Sequence, residues 1–332
     1  MSTQDKYALQ ELNFETTLGG LGDVDENRDI PLIDLSDFDR RKTDITEQLW
    51  QAAKDVGFFQ LINHGISLDE IDAAFAMSEA FFALPRSVKK QYPLKDGLNA
   101  GWEYRAQVRP STGTADEKES YQFTIPHMEG LWPDDTVLAG FQSLIEAFEW
   151  KAWQLNMQVL SCFATKLGFD ENFFAQKHER GSPEYQSTLR LLHYLPLVDS
   201  DIPEGVWRAG AHTDFDCLTM VFQQEGQGGL QVCAGKTALQ SQTWTSVLPR
   251  RGVITCNIGD MLMRWSDDEL LSTLHRVRMP APNENHGSRY SIAFFAQANK
   301  DQIIQGPGRK YPAISARDYM RHRLNANFSG KG

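Results

Sequence analysis

The second half of the chain most narrows what it can fold into. After Gly168, short apolar runs recur at Leu189–Leu195, Ala211–Gln223, Leu230–Val232, Thr243–Val247, Val253–Ile258, Thr273–Met279 and Arg289–Gln297, separated by Pro, Gly and Asn clusters. Runs of that length, bounded by turn residues, have the rhythm of a β-sandwich or barrel. The spacing predicts a mainly β fold with flanking helices: a double-stranded β-helix, or jelly roll, with the helical N-terminal half packed outside it.

The first half reads differently. Residues 1–29 are polar and acidic with no sustained periodicity, and read as an extension draped over the domain. Ile30 to Leu35 alternates like a short strand. Asp44 or Thr46 then caps a helix with Leu49, Ala52, Ala53 and Val56 at helical spacing, and Gly57 ends it. Phe58 to Ile62 is a strand, and Ser67 caps a second helix through Phe82, stopped by Pro85. A third helix runs from about Val137 to Leu167. We divide the chain into an extension (1–29), a helix and strand region (30–168) and a β core with a C-terminal helix (169–332), acting as one unit.

Composition excludes several classes. Apolar types are 41% and charged types 23%, ordinary for a globular chain, and no run approaches membrane-spanning length. The net charge of −11 argues against nucleic acid or anionic lipid as partner. The four cysteines show no paired spacing and the first residues no targeting pattern, so reduced thiols in the cytoplasm are expected.

The chemistry sits in the β-rich half. In Ala211-His212-Thr213-Asp214, strand alternation puts one imidazole and one carboxylate on the same face. His275 follows Asp214 by 61 residues, enough to return on another strand. Two histidines and one carboxylate on one side of a metal leave the other side open, the arrangement of Fe(II) oxygenases, which need room for a chelating cosubstrate and O2. An isolated His-x-Asp is more often a satisfied polar pair, but this one has company. Arg289 and Ser291 share a strand face 14 residues beyond His275, and a guanidinium with a hydroxyl is a suitable seat for the distal carboxylate of 2-oxoglutarate.

The same alternation aligns Arg190, Leu192 and Tyr194. If that face is interior, Tyr194 donates to the 2-oxoglutarate carboxylate and Arg190 meets a polar small-molecule substrate. Phe215 and Phe295 are candidates to sandwich a flat ring, with plain core packing as the bland alternative. His127-Met128-Glu129 also has ligand spacing but lies in a loop. His64, His178, His286 and His322 read as structural or exposed.

These residues resemble the isopenicillin-N-synthase-like branch of the Fe(II)/2-oxoglutarate dioxygenases. The resemblance runs from Ile30 to about Leu324 through Gly57-Phe-Phe-Gln-Leu-Ile-Asn-His-Gly-Ile66, Gly210-Ala-His-Thr-Asp214, Gly228-Gly-Leu-Gln-Val232, Asn257-Ile-Gly-Asp260, His275-Arg-Val277 and Arg289-Tyr-Ser291. It implies iron at His212, Asp214 and His275, and 2-oxoglutarate on Arg289, Ser291 and Tyr194. Within the branch, Leu189-Arg-Leu-Leu-His-Tyr194 and Lys118-Glu-Ser-Tyr121 are similar to fungal thymine hydroxylase-like enzymes and to fungal oxygenases that tailor aromatic polyketides, including a tropolone ring-expanding type. One departure is Leu195 between Tyr194 and Pro196, where thymine hydroxylases run Tyr-Pro directly. The branch also contains 2-oxoglutarate-independent ring-closing oxidases, and a third reading is a non-catalytic jelly-roll binding protein.

Overall fold

Two sheets enclose the space between them in a computed structural model that describes residues 23–25, 29–107, 115–197, 207–234 and 242–328. The larger has eight strands in the order β2 (Leu32–Asp34), β3 (Phe58–Ile62), β11 (Ile254–Ile258), β8 (Leu218–Gln223), β13 (Arg289–Ala296), β6 (Thr188–Tyr194), β5 (Lys118–Phe123) and β4 (Gly101–Tyr104). The smaller has five: β1 (Asp23–Val24), β10 (Thr243–Ser246), β9 (Leu230–Val232), β12 (His275–Val277) and β7 (Ala209–His212). A two-stranded ribbon pairs β14 (Ile303–Ile304) with β15 (Ile314–Ser315).

Side chains alternate across the larger sheet, so each strand serves two cores. Ile292 and Phe294 of β13, Leu189 and Leu191 of β6 and Met220 and Phe222 of β8 belong to the core under the helices. Their neighbours Ala293, Leu192 and Tyr194 join Ala209, Leu230, Val232 and Val277 of the smaller sheet in a second core between the sheets. This is the mainly β, two-sheet arrangement expected of a jelly roll.

The helical core is covered by α1 (Phe38–Asp55), α2 (Leu68–Ala83) and α4 (Phe141–Lys166), with the short α3 (Arg86–Lys89) and α5 (Phe173–Lys177) beside them. Later come α6 (Asp260–Trp265) and α7 (Ala316–Phe328). Ser67 caps α2 in a reciprocal box with Glu70, as its position before an apolar run requires. Gly57, at φ 76°, packs so closely on Leu271 and Thr273 that a Cβ would lie 2.4 Å from the Leu271 carbonyl, so only glycine fits.

Several expectations change. The first helix starts at Phe38, six residues before Asp44, because Asp37 takes a left-handed conformation and Phe38 packs on the core. The third starts at Phe141, after Gly140 at φ 73°. The N-terminal half is not only an outer helical layer: β2 and β3 extend one flank of the larger sheet, and β5 and β4 the other. Strand β5, buried on both faces, carries no simple alternation to reveal it. The run 211–223 is not one strand but two, β7 in the smaller sheet and β8 in the larger, joined by a corner at 213–217. Residues 1–22 of the expected extension lie outside the described residues, whereas Asp23 and Val24 pair in parallel with Thr243 and Trp244.

Candidate active site

His212 closes β7 and His275 opens β12, and the two are direct partners across that antiparallel pair. Their ring centroids stand 4.3 Å apart. Asp214 lies in the corner, not on a strand, so turn geometry rather than alternation brings it to the histidines. Its two oxygens sit 3.7 Å from His212 Nε2 and 3.7 Å from His275 Nε2 respectively. The opposite ring nitrogens face carbonyls, His212 Nδ1 that of Gly210 at 2.8 Å and His275 Nδ1 that of Thr273 at 3.3 Å. Donation there leaves both Nε2 lone pairs aimed at the carboxylate, the tautomer that metal-binding histidines need. One ligand atom from each residue lies within 4.8 Å of the others, and among the described residues no other such group of three exists. Two imidazoles and a carboxylate whose ligand atoms converge on one point fit a divalent cation.

The corner is built to hold Asp214. Its Oδ2 accepts from Thr219 Oγ1 at 2.6 Å and Asn257 Nδ2 at 2.8 Å, while its carbonyl accepts the Asp260 N–H at 2.8 Å. Gly259 lets α6 approach, since a Cβ there would lie 2.2 Å from the Asp216 carbonyl. Asp216 is fully buried beside it, and burial, then Asp214 and Asp260, push its carboxyl well above the carboxylate range. Sequence reasoning did not single out Thr219. Asn257 was legible only as part of the family pattern.

Arg323 of α7 clamps the corner from outside. Fully buried, it pairs with Asp260, donates to Thr213 Oγ1 at 3.0 Å and stacks over Phe215 at 4.3 Å. Arg323→Leu leaves the Asp260 carboxylate buried without its cation, which costs about 3–5 kcal/mol. Chemical denaturation is expected to show that loss, and the double variant with Asp260→Asn to recover part of it. Unaltered stability in Arg323→Leu would remove the clamp.

Arg289 opens β13 on the face toward the smaller sheet. Its Nε donates to the carbonyls of Gln227 at 3.0 Å and Gly228 at 2.9 Å, and its guanidinium lies over the Tyr194 ring at 4.6 Å. Burial lowers its pKa, and Nη1 has no hydrogen-bond partner. Two residues along the same face is Ser291, directly opposite Leu192 on one side and Gln223 on the other. Gln223 Nε2 is also buried without a partner. Orphaned buried donors are costly, and a carboxylate lying between Arg289 and Gln223 would satisfy both. The residues present fit the distal end of 2-oxoglutarate.

Arg190 is half-buried, opposite Gln122 and Ala293 on its two neighbouring strands. Its Nη2 donates to Gln122 Oε1 at 2.7 Å, and its guanidinium stands 5.1 Å from the Phe295 ring centroid. Gln122 Nε2 donates in turn to Glu103 Oε1 at 3.2 Å, which also accepts from Ser120 Oγ at 2.6 Å. Because a carboxylate only accepts, Glu103 fixes the Gln122 amide with its oxygen toward Arg190. Sequence reasoning missed Gln122 and Glu103, whose strands it did not find. Phe295 packs in the core between the sheets, whereas Phe215 packs in the helical core under Arg323. The fold therefore does not bring these two aromatics together.

The remaining histidines have other partners. His127, in a 3-10 turn, accepts from Lys300 Nζ at 2.8 Å. His64 Nε2 meets the Gly252 carbonyl, His178 Nδ1 that of Phe174 and His286 Nε2 that of Ala281.

Two β-sheets holding a His, Asp, His cluster, with a buried arginine on the inner face beyond it, define the class of mononuclear non-haem iron oxygenases fed by an oxo acid. The comparisons agree. Residues 30–137 match the non-haem dioxygenase in morphine synthesis N-terminal family, and residues 185–298 the 2OG-Fe(II) oxygenase superfamily. A 2-oxoglutarate-Fe(II) type oxidoreductase of Metarhizium rileyi is 30% identical over 85% of this chain and 86% of its own. A proline hydroxylase of Petromyces alliaceus is 30% identical over 83% and 90%. The crystal structure of full-length Neurospora crassa thymine 7-hydroxylase with alpha-KG and thymine aligns with a TM-score of 0.79 and 32% identity, over 92% of this chain and 99% of that one. The chain belongs to the 2-oxoglutarate–Fe(II) oxygenase superfamily as a 2-oxoglutarate-dependent dioxygenase, and its chemistry uses Fe(II), 2-oxoglutarate and O2. Among the described residues no helix is long and apolar enough to cross a membrane.

Proposed function

We propose that His212, Asp214 and His275 hold Fe(II), that Arg289, Ser291 and Tyr194 seat 2-oxoglutarate, and that the enzyme oxidises a C–H bond of a small, flat, polar cyclic substrate. The first substrate reading is a methyl-bearing aromatic polyketide, hydroxylated or ring-expanded. The bound iron, oxo acid and O2 supply the oxidising power. The chain's own residues position the reactants and exclude water.

One observation carries the substrate reading: the Arg190 guanidinium, held by Gln122 beside Phe295 on the strand that also bears Tyr194. A guanidinium held against a ring suits a carbonyl, enolate or carboxylate on a planar molecule. The thymine bound in the Neurospora neighbour favours a second reading, hydroxylation of a pyrimidine methyl group. Substrate-stimulated succinate release across small aromatic polyketides and pyrimidines separates the two. Stimulation by neither class would sink both.

Arg190→Ala is expected to lower product yield about 10- to 100-fold, the scale of losing a hydrogen bond to a charged group. Iron and 2-oxoglutarate affinity stay near normal. A lower melting temperature with all ligands weakened together would make Arg190 a structural residue instead. The negative net charge supports a small molecule rather than nucleic acid as partner, and the four buried free thiols support a reducing compartment such as the cytoplasm.

A further inference from the structure

Arg208, one residue before β7, belongs to no motif singled out in the sequence. It is only 4% exposed, yet among the described residues it has no carboxylate partner. Its Nη2 donates to the Gly287 carbonyl at 3.1 Å, while its buried Nε has no hydrogen-bond partner. Arg208 and Arg289 line the same cavity of about 350 Å³, with Gln227, Gly228, Arg278 and Ser288 also in its wall. The nearby carboxylate of Glu284 is already taken by Nη1 and Nη2 of Arg278. Burial, and then the charge of Arg289, bring the Arg208 pKa down to about 10. Two buried guanidiniums on one cavity, each with an unsatisfied nitrogen, make a fitting seat for an anion.

We propose that Arg208 is a second cationic anchor for the distal carboxylate of 2-oxoglutarate, opposing Arg289 across their shared cavity. This rests on the reading of Arg289 as the primary anchor. The pair makes the seat selective for a dicarboxylic oxo acid, because a monocarboxylic one leaves both guanidiniums uncompensated. It also holds Arg208, and through it the start of β7, against the loop at Gly287. Cosubstrate binding is thereby coupled to the strand that ends in His212.

The test is calorimetric titration of the metal-loaded protein, kept free of O2, with 2-oxoglutarate and with 2-oxopentanoate, which has a methyl group in place of the distal carboxylate. Arg208→Gln is expected to weaken 2-oxoglutarate about tenfold or more, the scale of one hydrogen bond to a charged group, and to leave 2-oxopentanoate unchanged. Arg208→Lys recovers part of the loss. The melting temperature without ligand stays level or rises as the repulsion is relieved, while the rise produced by 2-oxoglutarate shrinks. Unchanged 2-oxoglutarate affinity in Arg208→Gln, or equal weakening of both acids with a lower unliganded melting temperature, would overturn the proposal. Arg289→Gln serves as the control: if it too binds 2-oxoglutarate normally, the primary seat is misassigned, and if it alone loses affinity, only the role of Arg208 fails.

Discussion

Replacing His212 or His275 by alanine is expected to abolish turnover and to lower Fe(II) affinity by more than about 100-fold. Removing a partner that only orients a ligand already costs about 10–100-fold in metal affinity, and these side chains would be the ligands themselves. The two histidines face each other across one strand pair with their Nε2 atoms turned to Asp214, so neither has a substitute nearby. Calorimetric titration with Fe(II), beside O2 uptake, checks both parts. Wild-type turnover in either variant would remove the metal assignment. Asp214→Ala is expected to fall less far, with a small anion such as formate filling the gap, although Asn257 then loses its Asp214 acceptor and Thr219 keeps only Asp216.

Arg289→Leu is expected to raise the 2-oxoglutarate concentration needed for half-maximal rate by two orders of magnitude or more. Stripping one partner from a buried charge pair costs about 3–5 kcal/mol, and the C5 carboxylate would enter a cavity without its principal cation. Iron affinity should survive, since Arg289 contacts backbone carbonyls and Tyr194 rather than the histidines. An unchanged requirement for 2-oxoglutarate would place the cosubstrate elsewhere in the fold.

Much of this site is legible in the amino-acid sequence alone. Strands β9, β11 and β13 fall within a residue or two of where apolar runs and turn residues put them, and β13 carries Arg289 and Ser291 on one face as alternation requires. The Ser67 cap follows from a side-chain oxygen three residues ahead of a glutamate. Strands β4 and β5 are not legible in that way: β5 is buried on both faces, and its polar residues are satisfied by partners far along the chain, such as Lys89 for Glu119 and Arg190 for Gln122. A lone strand segment gives no sign of such partners.

Residue type and spacing alone therefore singled out His212, Asp214 and His275, the Arg-x-Ser face and the mainly β character, because period-two alternation and turn chemistry are properties of the local chain. Only the tertiary structure decided how the set meets. Asp214 reaches the histidines because the chain changes sheets between His212 and Leu218, a corner stabilised by Asn257, Asp260 and Arg323 from distant segments. The same packing sent Phe215 into the helical core and Phe295 between the sheets, and set Arg208 beside Arg289. No local pattern encodes such meetings, since each depends on which long-range surfaces bury together and which charges that burial leaves face to face.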